Sequence, residues 1–246
     1  MNDRDVDAVR EPNPLDVIYA MESGGSIVCT PCIEGENIYF GSSDFYVYSV
    51  NKNNGDLNWK FRARDRIGLS APVVENDILY IGALDGYVYA IDTKNGKLIW
   101  EFRTNDVILA SPAVYDKKLL MSSADGNLYC FNTSDGKMLW QKYLGKPVAI
   151  SPRIVNGNIF IGSWVERNFQ CISMEGKVLW KINVNHWPTN CSFATPDGKF
   201  LSDFRTHHNV NSEHFVFTFG SWNNMLYLVD DQGDFIWKEN VGVKIR

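Results

Sequence analysis

The sequence predicts an all-β fold, a β-propeller of four-stranded antiparallel blades with five complete repeats of about 40 residues and partial strands at the two ends. Three observations predict it: the spacing of aromatic residues, a phrase that recurs around them, and the short apolar segments between them. The aromatic residues lie 40, 41, 40, 40 and 57 positions apart. They are Tyr19, Trp59, Trp100, Trp140, Trp180 and Trp237. A fixed period of this size is typical of repeat architectures.

The phrase before each tryptophan contains Gly after an acidic or amide residue. It occurs at residues 54–59, 95–100, 135–140 and 175–180. Within one repeat, four short apolar segments begin at Ser111, Lys118, Asn127 and Lys137. Asp125-Gly126 and Asp135-Gly136 separate the last three segments, and Asp-Gly pairs favour tight hairpin turns. Because helical periodicity is absent, each repeat is predicted to be a four-stranded antiparallel sheet.

Both faces of this predicted sheet are apolar, as residues 78–81 and 87–91 show. A sheet of this kind must be covered on both sides by neighbours. Radial repetition provides those neighbours and leaves few exposed strand edges, so it favours a propeller. The alternative is a flat β-solenoid, whose coils are usually shorter than this repeat.

The segment 90–100 resembles the tryptophan-docking motif of the pyrroloquinoline-quinone-type repeat family, and residues 111–114 resemble the strand that opens the next unit. The resemblance extends over residues 19–246 and is weakest toward the C-terminus. That family includes a lipoprotein that assists outer-membrane β-barrel assembly, and also quinoprotein dehydrogenases. The resemblance implies that one aromatic residue per blade wedges against the neighbouring blade. The implied docking residues are Tyr19, Trp59, Trp100, Trp140, Trp180 and Trp237.

The pattern predicts a flexible N-terminal segment at 1–13 and a propeller at 14–246, with an insertion at about 193–214 that interrupts the repeat. Residues 15–21 and 242–246 read as single strands of incomplete blades. We therefore expect further blades, from a longer chain or from another copy. No stretch reaches the ~18 apolar residues of a membrane span, and the charged start is not followed by an apolar segment. This predicts a cytoplasmic protein, or an extracytoplasmic one if the native N-terminus is missing.

The charge balance argues against nucleic acid as a partner. The chain has 24 Lys and Arg against 29 Asp and Glu, a net charge of −5, so it provides no overall positive field for a phosphate backbone. Its five cysteines form an odd set that suits a reducing compartment. The pair Cys29 and Cys32 has the spacing of a redox dithiol. It also aligns with residues 110–113 of another repeat, where small residues are needed, and this favours a packing role.

Several residues outside the docking positions are candidates for contact with a partner or ligand. All four histidines lie in or beside the insertion, but their spacing fits no standard zinc pattern, so no metal site is predicted. Three tryptophans and one arginine fall in turns or links, and such residues often anchor partner surfaces. Local packing is the alternative for each. The candidates are Trp164, Arg167, His186, Trp187, His207, His208, His214 and Trp222.

No catalytic residue is assigned, because the spacing shows no nucleophilic triad, phosphate-binding loop or paired carboxylates. The sequence therefore predicts a non-catalytic propeller scaffold that binds a protein partner and needs no cofactor. The alternative is a fragment of, or a divergent, quinone- or metal-dependent oxidoreductase. The resemblance implies pyrroloquinoline quinone with calcium for such an enzyme, held beside two vicinal cysteines that this sequence lacks.

Overall fold

The computed structural model describes residues 20–184, 186–193, 216–221, 224–230 and 232–240. Within these residues, twenty strands form five four-stranded antiparallel sheets, each in sequence order. We name the sheets blades 1 to 5. The predicted all-β architecture of four-stranded propeller blades is confirmed.

The strands are numbered β1 to β20 along the chain. Blade 1 contains β1 (Cys32–Glu34), β2 (Asn37–Gly41), β3 (Tyr46–Asn51) and β4 (Leu57–Arg62). Blade 2 contains β5 (Val73–Glu75), β6 (Ile78–Gly82), β7 (Tyr87–Asp92) and β8 (Leu98–Arg103). Blade 3 contains β9 (Ala113–Tyr115), β10 (Lys118–Ser122), β11 (Asn127–Asn132) and β12 (Met138–Tyr143). Blade 4 contains β13 (Arg153–Val155), β14 (Asn158–Ser163), β15 (Asn168–Ser173) and β16 (Val178–Asn183). Blade 5 contains β17 (Pro188–Phe193), β18 (Val216–Ser221), β19 (Met225–Asp230) and β20 (Phe235–Asn240).

The first strand of blades 1 to 4 is only three residues long. In blade 3 it begins at Ala113 rather than Ser111. Pro112 has no N–H for the ladder, so strand pairing starts after it. The preceding serines instead join blades to each other. Ser111 Oγ accepts a hydrogen bond from Ala71 N at 2.9 Å, and Ser151 Oγ accepts one from Ser111 N at 2.9 Å.

The antiparallel order places the loops at two ends of each blade. Turns between the second and third strands, such as 42–45 and 164–167, share one end with the links between blades, such as 63–72 and 184–187. We call this the link end. Turns between the first and second strands and between the third and fourth strands lie at the opposite end, which we call the hairpin end.

The core lies between the blades. Tyr39, Val47 and Trp59 of blade 1 pack with Leu79 and Ile81 of blade 2, and all five are buried. Equivalent apolar clusters join blade 2 to blade 3, blade 3 to blade 4, and blade 4 to blade 5. The two-sided apolar pattern of the strands is thus satisfied by neighbouring sheets.

The docking tryptophans lie on the fourth strands and reach the next blade. Trp59, Trp100 and Trp140 donate from Nε1 to the carbonyl oxygens of Thr93 (2.7 Å), Thr133 (2.8 Å) and Met174 (3.0 Å). A glycine of the next hairpin lies against each indole, and Gly233 lies in the same way against Trp180. Trp237 is in β20, where its backbone pairs with Leu228. Tyr19 lies outside the described residues.

Every fourth strand carries a β-bulge just before its tryptophan. In blade 2, Ala90 pairs with Trp100 and Ile91 pairs with Leu98, so Ile99 is the extra residue. The same shift leaves Asn58, Leu139, Leu179 and Ile236 unpaired. Bulges redirect side chains and raise local twist.

Candidate functional site

Two tryptophans stack at the link end of blades 4 and 5. The rings of Trp164 and Trp187 lie 6.2 Å apart with an interplanar angle of 23°. Trp164 Nε1 donates to Pro188 O at 2.9 Å, which fixes this ring against the start of blade 5. Trp187 remains 43% exposed, and the His186 ring lies 5.6 Å from it. The pair presents an aromatic surface held in a defined position.

The equivalent turns of blades 1 to 3 have a different construction, in which an aspartate accepts a hydrogen bond from a tyrosine hydroxyl. The pairs are Asp44 with Tyr48 (2.5 Å), Asp85 with Tyr89 (2.6 Å) and Asp125 with Tyr129 (2.6 Å). Each aspartate also accepts from a backbone N–H of an adjoining segment. These donors are Gly24 (2.8 Å), Arg64 (3.1 Å) and Asn105 (3.0 Å). We call this arrangement the Asp–Tyr clamp, and it ties the turn to that segment.

Blade 4 lacks the clamp. The connection from Gly162 to its pairing partner Phe169 is one residue longer than the equivalent connection from Gly41 to Val47 in blade 1. Glu166 and Gln170 stand where the aspartate and tyrosine occur in blades 1 to 3. Glu166 is paired with Lys181 and accepts from Asn168 Nδ2 at 2.9 Å. The Lys181 ammonium and the Asn168 amide lower the pKa of the Glu166 carboxyl. With its acidic group committed to its own blade, the turn meets the next link through Trp164 instead.

The lengthened turn exposes residues of contrasting chemistry. Val165 is 55% exposed, and its Cβ lies 3.0 Å from the position that a Cβ on Gly145 would occupy. Arg167 is exposed and has a φ of 51°, and its guanidinium makes no ion pair with the described residues. With Trp164 and Trp187, these residues form what we call the Trp164–Trp187 patch.

The structure therefore brings together Trp164, Arg167, His186 and Trp187 of the sequence-predicted candidates. His207, His208, His214 and Trp222 lie outside the described residues. His186 Nδ1 is buried and has no hydrogen-bond partner among the described residues. Sequence reasoning did not identify Val165 or Glu166. The extra residue before Arg167, relative to the Asp-Gly of blades 2 and 3, was the signal that could have identified them.

Cys29 and Cys32 show the environment of packing residues. The sulfur of Cys29 accepts from Gly41 N at 3.3 Å, just as Ser70 Oγ accepts from Gly82 N at 3.0 Å in blade 2. Burial raises the pKa of both thiols. A redox-active dithiol needs the opposite shift, because the thiolate is the reactive form.

The metal-ligating side chains of the described residues are dispersed. No three His, Cys, Asp or Glu side chains in this part of the chain lie close enough together to hold a metal ion. Burial raises the pKa of Cys130 to about 12. Nor does any helix in the described residues have the length and apolar character needed to cross a membrane.

Solved structures with similar folds include both assembly factors and enzymes. BamB from Moraxella catarrhalis matches with a TM-score of 0.58 and 15% identity, covering 89% of this chain and 76% of that chain. A europium-containing methanol dehydrogenase matches with a TM-score of 0.75 and 14% identity, covering 92% of this chain and 53% of that chain. A quinohemoprotein alcohol dehydrogenase from Pseudomonas putida matches with a TM-score of 0.72 and 16% identity, covering 91% and 43%. The chain thus spans about half or less of each dehydrogenase, and identities this low show the fold alone.

The sequence itself matches one family model, described as "Outer membrane protein assembly factor BamB", in three overlapping segments at residues 16–104, 43–190 and 84–245. No curated protein sequence matches the chain significantly. The three segments together cover nearly the whole chain, which confirms the expected pyrroloquinoline-quinone-type repeat propeller. The chain belongs to the family described as outer membrane protein assembly factor BamB.

Proposed function

We propose that this propeller is a non-catalytic scaffold that binds a protein partner through the Trp164–Trp187 patch. The observation that carries the proposal is the half-exposed, stacked tryptophan pair in the one blade where Glu166 and Gln170 replace the clamp of blades 1 to 3. Because blades 1 to 3 all have the Asp–Tyr clamp, its absence from blade 4 calls for an explanation specific to that blade. Here it removes an internal tie and adds apolar and cationic groups to the surface.

The composition of the patch suits a protein interface. Tryptophan and arginine are enriched among the residues that contribute most to binding, especially where they are held in place before the partner arrives. The hydrogen bond from Trp164 to Pro188 O and the stacking of Trp187 on Trp164 reduce the side-chain entropy lost on binding. Arg167 has its charge available for a carboxylate of the partner. The family's description, an assembly factor of the outer membrane, supports both a protein partner and the extracytoplasmic alternative.

Site-specific photo-crosslinking in the native host tests the proposal. A photoreactive residue at position 165 is expected to capture a discrete partner, and Trp187→Ala is expected to reduce that product at least fivefold. A photoreactive residue at position 69 is the matched control, because Leu69 is 59% exposed at the link end between blades 1 and 2. Equal capture from both positions, or capture unaffected by Trp187→Ala in a folded variant, would contradict the proposal.

The oxidoreductase alternative makes a separate prediction. It requires a stoichiometric quinone or metal in the purified protein, whereas the scaffold proposal requires neither. An absorbance spectrum and metal analysis of protein purified from its host decide between them. One bound quinone or metal per chain would overturn the scaffold proposal.

A further inference from the structure

A polar cleft of about 520 Å³ opens at the hairpin end between blades 1 and 2. It is far in the fold from the Trp164–Trp187 patch, which lies at the link end of blades 4 and 5. Residues of both blades line it, including Glu34, Asn37, Tyr39, Asn58, Asp77 and Thr93. A cavity of this size is within the usual range of small-molecule sites.

Beside this cleft, blade 1 differs from blade 2 at three positions. Where blade 2 has Ile78 and Ile99, blade 1 has Asn37 and Asn58. Blades 3 and 4 also keep leucine at the position of Asn58. Ser49 is a second polar replacement, at the position of Ala90 in blade 2. The position of Asn37 is polar in blades 3 and 4 as well, so Asn58 and Ser49 are the side chains that distinguish blade 1 here.

The replacing side chains form one hydrogen-bonded row. Asn58 Nδ2 donates to Asn37 Oδ1 at 2.9 Å and to Ser49 Oγ at 3.3 Å. Asn37 Nδ2 donates to Tyr39 OH at 3.2 Å. The row orients the amides toward each other and leaves Asn58 Oδ1 without a partner among the described residues. A ligand with hydroxyl donors can use that acceptor.

The charges around the cleft are mostly balanced by the protein itself. Glu36 pairs with Lys52 at 3.0 Å, and Asp77 pairs with Lys94 at 2.6 Å. The Glu34 carboxylate has no ion pair or hydrogen bond within the described part of the chain. A fully charged ligand would compete with the existing pairs, whereas neutral hydroxyl groups can donate to Glu34 and to the Asn58 amide without disturbing them.

We propose that this cleft binds a neutral polyhydroxylated small molecule, a mono- or disaccharide. Its hydroxyls donate to the Glu34 carboxylate and to Asn58 Oδ1. The amide row and the backbone of the blade 2 hairpin, which Thr93 anchors by donating from Oγ1 to Asp77 O at 3.0 Å, form the walls. The site is independent of the partner-binding proposal, because it involves other blades and the opposite end.

Ligand-observed NMR and calorimetry with glucose, N-acetylglucosamine and maltose test the proposal. At least one of these neutral sugars is expected to bind the intact protein in the millimolar range or tighter. Asn58→Ile, which places the blade 2 residue in the cleft, is expected to weaken that binding at least tenfold while the protein keeps its melting temperature. Glu34→Gln, which keeps the shape of the side chain, is expected to weaken it severalfold.

Asn158→Ile is the control for the same change of side chain, because Asn158 lies in blade 4 and does not line the cleft. This variant is expected to bind sugar like the parent. The proposal is overturned if none of the three sugars binds, or if folded Asn58→Ile binds as well as the parent. It is also overturned if glucosamine, the cationic comparator, binds and neutral glucose does not.

Discussion

At the scale of single residues, the docking tryptophans combine a buried ring with one directed hydrogen bond. Trp100 is 8% exposed, packs near Tyr80 and Phe131 at 5.9 and 6.1 Å, and donates to Thr133 O. A buried indole without a partner would carry a desolvation cost, so the carbonyl of the next blade makes its burial favourable. Each tryptophan thus links packing inside one blade to the position of the next.

Replacing Trp100 by alanine is expected to lower the free energy of unfolding by about 3–5 kcal/mol, because it leaves a cavity between blades 2 and 3. Denaturant unfolding measures the change. Trp187→Ala serves as the control, since its ring is 43% exposed, and is expected to cost less than about 1 kcal/mol. Similar losses in the two variants would show that the described division between core and surface is wrong.

The buried tyrosines make stability sensitive to alkaline pH. Burial, followed by the hydrogen bond to Asp44, raises the pKa of Tyr48 to about 12. Burial also raises the pKa of Tyr80 to about 12. Tyrosine in an unfolded chain titrates at about pH 10. Because the folded state holds these protons more tightly, their contribution is complete below pH ~10 and is lost as the pH rises toward ~12.

Unfolding midpoints measured from about pH 9 to about pH 12 should therefore fall with increasing pH. Tyr48→Phe is expected to make this decline shallower, whatever its effect at neutral pH. If Tyr48→Phe declines as steeply as the parent, the phenol of Tyr48 does not hold its proton in the way described.

At the scale of the element, the sequence was sufficient for the blade but not for its details. Asp-Gly turns and short apolar segments predicted four strands, and the structure has them. The bulge at Ile99 could not be read from the sequence, because register depends on which residues of β7 and β8 pair. The Asp–Tyr clamp was readable: Asp44, Asp85 and Asp125 each precede a tyrosine by four positions.

The candidate site was only partly predictable for a related reason. Trp164 and Trp187 were identified as turn and link residues, but their stacking depends on strand order, which brings turn 164–167 and link 184–187 to the same end. The polar cleft was not predicted at all. Asn37 and Asn58 are 21 positions apart and are ordinary surface residues until the pairing of blade 1 places them together.

Two glycines in turns at the hairpin end provide a test, Gly96 between the third and fourth strands of blade 2 and Gly35 between the first and second strands of blade 1. Gly96 has a φ of +69°, and a Cβ there would lie 2.8 Å from the Trp59 ring. Gly35 has a φ of +57° with nothing within 4 Å of its Cβ position. Gly35→Ala is expected to cost about 1–2 kcal/mol from left-handed strain alone. Gly96→Ala should cost clearly more, because it also displaces Trp59; equal losses in denaturant unfolding would contradict the close contact.

At the scale of the whole molecule, the blades are joined on two radii. The tryptophans join them through the outer strands, and the serine hydroxyls join them beside the inner strands. Ser111 belongs to blade 3 but bonds toward both neighbours, through its Oγ to Ala71 N and through its N–H to Ser151 Oγ. Two sets of links at different distances from the axis restrain tilting as well as separation of the blades.

Ser111→Ala is expected to lower the free energy of unfolding by about 1 kcal/mol, because the Ala71 amide loses its acceptor. Hydrogen exchange gives the sharper readout: the amide of residue 71 should exchange faster, while that of residue 111, which still donates to Ser151, should not. Unchanged protection at residue 71 would rule out the hydroxyl as its acceptor in solution.

The bulges of the fourth strands have a consequence for how these molecules tolerate crowding. Each of these strands is the rim of its blade, and Leu98 and Ile99 are each 43% exposed there. A straight, apolar edge strand could pair with a strand of a second molecule, extend the sheet and start a fibre. With Ile99 unpaired and the backbone bent, the row of free amides and carbonyls is broken, so the rim can be apolar without becoming a template for aggregation.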